Sequence, residues 1–119
     1  MNKKIKLTSN EQDSITIIGK NFAIKGDVIS NTGDVDILGI VNGNCKIKKL
    51  LIREDGVLNG NIKSEHLIIQ GRVNGNIDAE KVSILATGRV FGDIFYKVLK
   101  IEDGAMIEGS VKKNNVVVK

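Results

Sequence analysis

The stretch "GRVNGNI", residues 71–77, decides the fold. Taken alone, its Asn-Gly pair between apolar residues marks a hairpin, because both residues tolerate the positive φ angles of a tight type I′ turn. The stretch recurs, however, as "GIVNGNC" from Gly39, "GVLNGNI" from Gly56 and, altered, "GRVFGDI" from Gly88. Aligned on their second glycine, the repeats form a column of Gly26, Gly43, Gly60, Gly75, Gly92 and Gly109, at intervals of 17, 17, 15, 17 and 17 residues. Two residues before each glycine stand Ile24, Val41, Leu58, Val73, Val90 and Ile107; two after it stand Val28, Cys45, Ile62, Ile77, Ile94 and Val111.

A further apolar column, Ile52, Ile69, Ile84 and Ile101, follows seven residues after Cys45 and its equivalents, and Leu50, Leu67, Val82 and Leu99 precede it by two. That spacing of two is the period of a strand. In a hairpin meander the residue facing an apolar position need not be its homologue one repeat later. In a β-solenoid each repeat is one coil, and equivalent positions stack as ladders about 4.8 Å apart, so matched columns are required. A 17-residue unit has the length of three short strands and three corners. The interval of 15 arises where "IREDG" shortens to "IQG", and "ISNTGDVDILG" places its extra residues before Val35. The first change is confined to one corner and spares the columns; the second lies elsewhere and gives its coil a different outline. Alternation in V-x-G-x-I points the glycine inward, where a missing side chain lets the backbone bend toward the core. The asparagines then face out in two ladders, Asn42, Asn59 and Asn74 and, beside it, Asn44, Asn61 and Asn76, interrupted by Phe91 and Asp93.

The composition agrees. The chain has 119 residues, 13 glycines, four aromatics and no proline, and its apolar residues are mostly Ile, Val and Leu. Such a chain is one all-β domain in which few positions can spare a backbone N–H. Neither an apolar run long enough to span a bilayer nor a secretory leader is present, and Cys45 is a lone cysteine, so the expected location is cytoplasmic. The net charge of +4 sits in the tails: residues 14–111 hold twelve Lys and Arg against twelve Asp and Glu. A neutral body without aromatics among its lysines is not a nucleic-acid surface, and no nucleic-acid partner is expected.

Six repeats of the form [IV]-x-G-[ND]-[IV] with "EDG" corners, as in "VLNGNI", "RVNGNI" and "IEDGAMIEGSV", resemble the bactofilins, bacterial polymer-forming cytoskeletal proteins. The resemblance covers residues 14–111. It implies a right-handed parallel β-helix of about six coils, flanked by short flexible tails at residues 1–13 and 112–119. It also implies a scaffold that self-assembles end to end into non-polar filaments without nucleotide or other cofactor, and that recruits cell-envelope or morphogenesis proteins.

A solenoid has unpaired strand edges and uncovered apolar core at each end, and something must cover them. The expected polymerisation interface is therefore Ile15, Ile17, Phe22 and Ile24 at one end, with Phe95, Tyr96, Val98, Met106, Ile107 and Val111 at the other. "NNVVVK" could fold over one end as a partial cap. Phe91 stands where other coils place an outward Asn, and is either an exposed apolar spot for a lateral contact or turned inward by a local bend. At the N-terminus "MNKKIKL" alternates basic and apolar residues. In the resembled family such segments tether filaments to inner-membrane lipid, a role that falls here on Met1, Lys3, Lys4, Ile5 and Leu7, at the inner face of the cell membrane.

No enzymatic chemistry is expected. His66 is the single histidine, too few for a three-histidine metal site, and it reads as an exposed strand residue. A left-handed solenoid acyltransferase can work with one histidine, but it carries hexapeptide repeats. Cys45 sits in a core column, and Glu54-Asp55 and Glu102-Asp103 precede glycine at turns, so neither reads as catalytic. A fully capped solenoid serving as an interaction module is the remaining alternative; it differs in having closed ends.

Overall fold

The computed structural model describes residues 4–7 and 15–113, with side chains described for 16–30 and 33–113. Among the described residues every regular element is a strand. Long strands alternate with three-residue ones: β1 (Lys4–Leu7), β2 (Ile15–Ile18), β3 (Ala23–Lys25), β4 (Asp27–Ile37), β5 (Ile40–Asn42), β6 (Cys45–Ile52), β7 (Val57–Asn59), β8 (Ile62–Ile69), β9 (Arg72–Asn74), β10 (Ile77–Ile84), β11 (Arg89–Phe91), β12 (Ile94–Ile101), β13 (Met106–Glu108) and β14 (Val111–Lys113). The long strands stack in the order β4-β6-β8-β10-β12 with β1, β2 and β14 at the margins, and the short strands stack as β3-β5-β7-β9-β11-β13. All pairings are parallel, and each joins a residue to its homologue one repeat on, as Cys45 to Ile62, Ile62 to Ile77 and Ile77 to Ile94. The repeats are the six coils of a parallel β-solenoid.

Coils two to six have two strands each instead of three, because the first two run on as one; in coil one they are separate, as β1 and β2. Along β6, β8 and β10 the alternation of inside and outside breaks once, at Lys48-Lys49, Glu65-His66 and Glu80-Lys81, and resumes in the opposite phase. The long strand therefore folds over a corner and supplies two faces, with the short strand as the third. At this corner the buried Ser64 hydroxyl donates to the His66 carbonyl at 2.8 Å and lies 3.1 Å from that of Lys48, so a bend in mid-strand leaves no polar group stranded. The extra residues of coil two appear as a register shift between Ser30 and Asp34.

The expected columns are the core. Val41, Leu58, Val73 and Val90, then Ile37, Ile52, Ile69 and Ile84, are each fully buried. Each such side chain contributes about 1.5–3 kcal/mol, an upper figure if the unfolded chain is already compact.

The glycine column has a cause beyond the bend that was expected. Gly43, Gly60, Gly75, Gly92 and Gly109 have φ between +144° and +155°, and a Cβ on any of them would collide with the carbonyl oxygen of the preceding glycine. The side chain is missing because coil lies on coil along the axis at a bend of the chain. The two asparagine ladders also differ from each other. Asn59 donates its side-chain amide to Asn42 at 2.8 Å, and Asn74 to Asn59 at 2.6 Å, as stacked amides do. The second ladder runs from side chain to backbone: Asp27, Asn44, Asn61, Asn76 and Asp93 accept, in turn, the N–H groups of Asn44, Asn61, Asn76, Asp93 and Ser110. Asp93 continues this ladder, because only a carboxyl or amide oxygen is needed. Phe91 ends the first, because that one needs an amide at every rung.

Two boundaries move. Lys4–Leu7, expected within a flexible tail, is a strand in register with Asp27–Ser30, and Lys112 and Lys113 belong to β14, opposite Phe95 and Tyr96. The basic–apolar alternation of "KIKL" is the period of a strand, and it sets Ile5 opposite Val28, a core position.

Candidate functional site: the two ends of the solenoid

At the N-terminal end the first coil is complete. β1 covers residues 27–30 of β4, β2 covers residues 34–37, and β3 covers β5. The position before each short strand is Phe22, Gly39, Gly56, Gly71, Gly88 and Ala105 in successive coils. A Cβ at Gly39 would strike the backbone oxygens of Phe22 and Gly19, and a Cβ at Gly56 that of Ile37, both in the coil before. Phe22 escapes this because no described strand lies below it, and it is 67% exposed. Ile17 on β2 is exposed on the outer surface, whereas Ile24 packs partly buried against the core. The side chain of Ile15 lies outside those described.

The C-terminal end is half a coil. β14 pairs only with residues 94–96 of β12, so residues 98–101 have no described strand on that side. The inward columns therefore end in the open: Ile101 is 51% exposed, against 0% for Ile84 one coil earlier. Tyr96, Leu99, Ala105 and Ile107 are partly buried around it, and Val111 is exposed. Of the residues expected at this end, Tyr96, Ile107 and Val111 do lie on the inward columns. Phe95, Val98 and Met106 take outward positions on the lateral surface instead, in register with Asp78, Lys81 and Arg89. Leu99 and Ile101 were read as core; what exposes them is that their rung is last.

The last two corners are tied together. The Arg89 guanidinium donates to the carbonyl oxygens of Gly88 (2.9 Å), Gly104 (3.1 Å) and Ala86 (3.2 Å), while a Glu102 carboxylate oxygen accepts the Ala86 N–H at 3.1 Å. The apolar end thus stands on a fixed base. Phe91 is outward, as its Asn-column position requires, but half covered: the Arg72 guanidinium lies 5.0 Å over its ring, a contact of about 0.5–1 kcal/mol.

The tether residues fall in two groups. Lys4, Ile5 and Leu7 are in β1; Met1 and Lys3 lie outside the described residues. His66 is in β8 on an outward position between Lys49 and Lys81. Cys45 is buried in its column, and burial, followed by the nearby Asp27 charge, pushes its thiol pKa up to about 12, so it is held as a neutral core group. Among the described residues no three His, Cys, Asp or Glu side chains gather into a metal-binding group, and no helix is long and apolar enough to cross a membrane.

Comparison with known proteins places the chain. A family model described as bactofilin, polymer-forming cytoskeletal, matches residues 16–112, the whole described solenoid apart from its first strand and margins. No match is found among curated proteins or solved structures.

Proposed function

This chain belongs to the bactofilin family, polymer-forming cytoskeletal proteins, and we propose that its role is carried out by its two ends: subunits join end to end, like end to like end, into filaments that need no nucleotide. The observation that carries the reading is the opening of the core at the last coil, where Leu99, Ile101, Ile107 and Val111 finish apolar columns that are fully buried a few rungs earlier. Phe22 supports like-to-like contact. A coil of another copy laid in register beneath coil one would meet its side chain at a position that in coils two to five must be glycine.

The filament would act as a scaffold that recruits other proteins, and it would sit on the membrane through residues 1–7. β1 pairs with β4 through Lys4–Leu7, and the strand alternation that sets Ile5 opposite Val28 puts Lys4 and Lys6 on the outward register. Each lysine adds only about 1 kcal/mol at an anionic surface, and many copies along a filament make up the deficit.

Negative-stain microscopy of the purified full chain tests the proposal. Wild type forms filaments without nucleotide, and Ile101→Arg forms none while keeping its β-rich circular dichroism spectrum. Wild type that stays monomeric at every salt concentration in ultracentrifugation refutes it. Co-sedimentation of wild type with anionic liposomes, lost on Lys3→Glu with Lys4→Glu, is the matching test of attachment; equal pelleting of the two counts against it.

A further inference from the structure

The first half of each long strand presents two outward columns on one face of the solenoid. From coil two to coil six the first column holds Ile29, Lys46, Lys63, Asp78 and Phe95, each in register with the next. Two residues further along β6, β8, β10 and β12 stand Lys48, Glu65, Glu80 and Lys97, and Lys97 donates to Glu80 at 3.2 Å within that second column. All of these side chains are exposed apart from Ile29, which is half-buried.

The charges on this face are sorted by coil. Coil three carries two lysines, coil five two carboxylates and coil four one of each, while coils two and six set Ile29 and Phe95 in the first column. Such an order is its own complement when reversed. A second copy laid face to face on the first, its axis reversed about coil four, brings coil three against coil five, so that Lys46 faces Asp78 and Lys48 faces Glu80. Coil two meets coil six, and Ile29 faces Phe95. The contact is isologous, so each of these pairs forms twice. At coil four Lys63 and Glu65, about 7 Å apart along the strand, cross to one another between the copies.

A half-turn that keeps the axes parallel exchanges the two columns within each rung. Lys46 then meets Lys48 and Asp78 meets Glu80, like charge on like. The neighbouring face, beyond the mid-strand corner, lacks the order altogether, because reversal there sets Lys49 against Lys81. We propose that the face bearing Lys46, Lys48, Asp78 and Glu80 is a lateral contact between two antiparallel copies of this chain, centred on coil four. The outward Phe95 is then a side chain with a partner, Ile29 of the second copy. Exposed ion pairs set direction and exclude the parallel arrangement more than they add affinity, so the contact is weak between single subunits and sensitive to salt. It uses none of the residues that finish the core columns, and it stands apart from end-to-end assembly.

Cross-linking of full-length cysteine variants with a short bis-maleimide tests it. Cys45 is buried and its thiol held neutral, so only introduced thiols react. Glu65→Cys, on the symmetry axis, cross-links to itself. An equimolar mixture of Lys48→Cys and Glu80→Cys cross-links at least about fivefold more than either alone, since each lies opposite the other but two rungs, about 10 Å, along the axis from its own copy. Lys46→Glu with Lys48→Glu weakens the Glu65→Cys dimer by about tenfold or more, and adding Asp78→Lys with Glu80→Lys restores it to within about twofold. That rescue cannot come from a misfolded chain. Coil four is far from both ends, so end-to-end joining alone produces none of these cross-links. Three results overturn the proposal: a Glu65→Cys dimer no stronger than that of Ile68→Cys on the neighbouring face, Lys48→Cys alone cross-linking as well as the mixture, which assigns the pair a parallel arrangement, or a charge reversal that its complement fails to rescue.

Discussion

The two ends of this solenoid are made from the same repeat and finish differently. At the N-terminal end coil one is complete in β1, β2 and β3, each paired on one side only among the described strands, and Phe22 stands exposed there in a glycine's place. At the C-terminal end the order is reversed: the glycine-site residue is the small Ala105, and the core columns run out uncovered at Ile101 and Val111. Between them every rung is made alike, with glycine against carbonyl and Asx oxygen against N–H. Exposure at a given column is therefore a property of rung number. Ile84 and Ile101 are the same residue in the same column, and among the described residues only Ile84 has a coil on both sides.

The contrast can be broken at the glycine site first. Gly56→Phe puts into coil three the residue that coil one carries, and its Cβ collides with the Ile37 carbonyl. The expected loss is about 3 kcal/mol or more, seen as unfolding at 25 °C or a collapsed urea midpoint. Phe22→Gly, the reverse change at the end, costs about 1 kcal/mol or less. If Gly56→Phe is tolerated, the axial collision does not govern this column. A smaller effect separates the ends by burial. Ile18, 6% exposed in the first coil, loses about 2 kcal/mol or more on truncation to Ala, and Ile101→Ala about half as much. Equal losses in denaturant melts would erase the asymmetry. The mildest test lies in the Asx ladder. Asp27→Ala orphans the Asn44 N–H beneath four further rungs and costs about 1 kcal/mol, while Asp93→Ala releases only Ser110 at the open end and costs a few tenths, both read by thermal melts.

Much of this was legible in the sequence. The glycine spacing and the apolar columns define the coil, its register and its core, because a stacked repeat forces homologous residues into contact. The "IQG" corner and the extra residues before Val35 were legible for the same reason: they sit where length can change without moving a column. The ends were harder to see. Nothing in the residue type of Leu99 or Ile101 separates them from Leu67 or Ile69; their exposure depends on what stacks above. Phe95, Val98 and Met106 attracted notice as large apolar residues near the end, but their side chains alternate outward. "KIKL" reads as a basic, apolar tail until β4 offers it an edge. The two asparagine columns look identical in sequence, and only the geometry of the corner shows that one pairs amide with amide and the other pairs carbonyl oxygen with backbone.

Phe22 has one further consequence. A stack of equivalent rungs contains no instruction about its own length, and a seventeen-residue unit could be duplicated or lost with every ladder re-forming across the join. By occupying the one corner that stacking leaves no room for, Phe22 fixes where counting starts. From there each rung adds about 4.8 Å, so the number of coils becomes a ruler for the length of the solenoid. A single side chain sets the zero of that ruler.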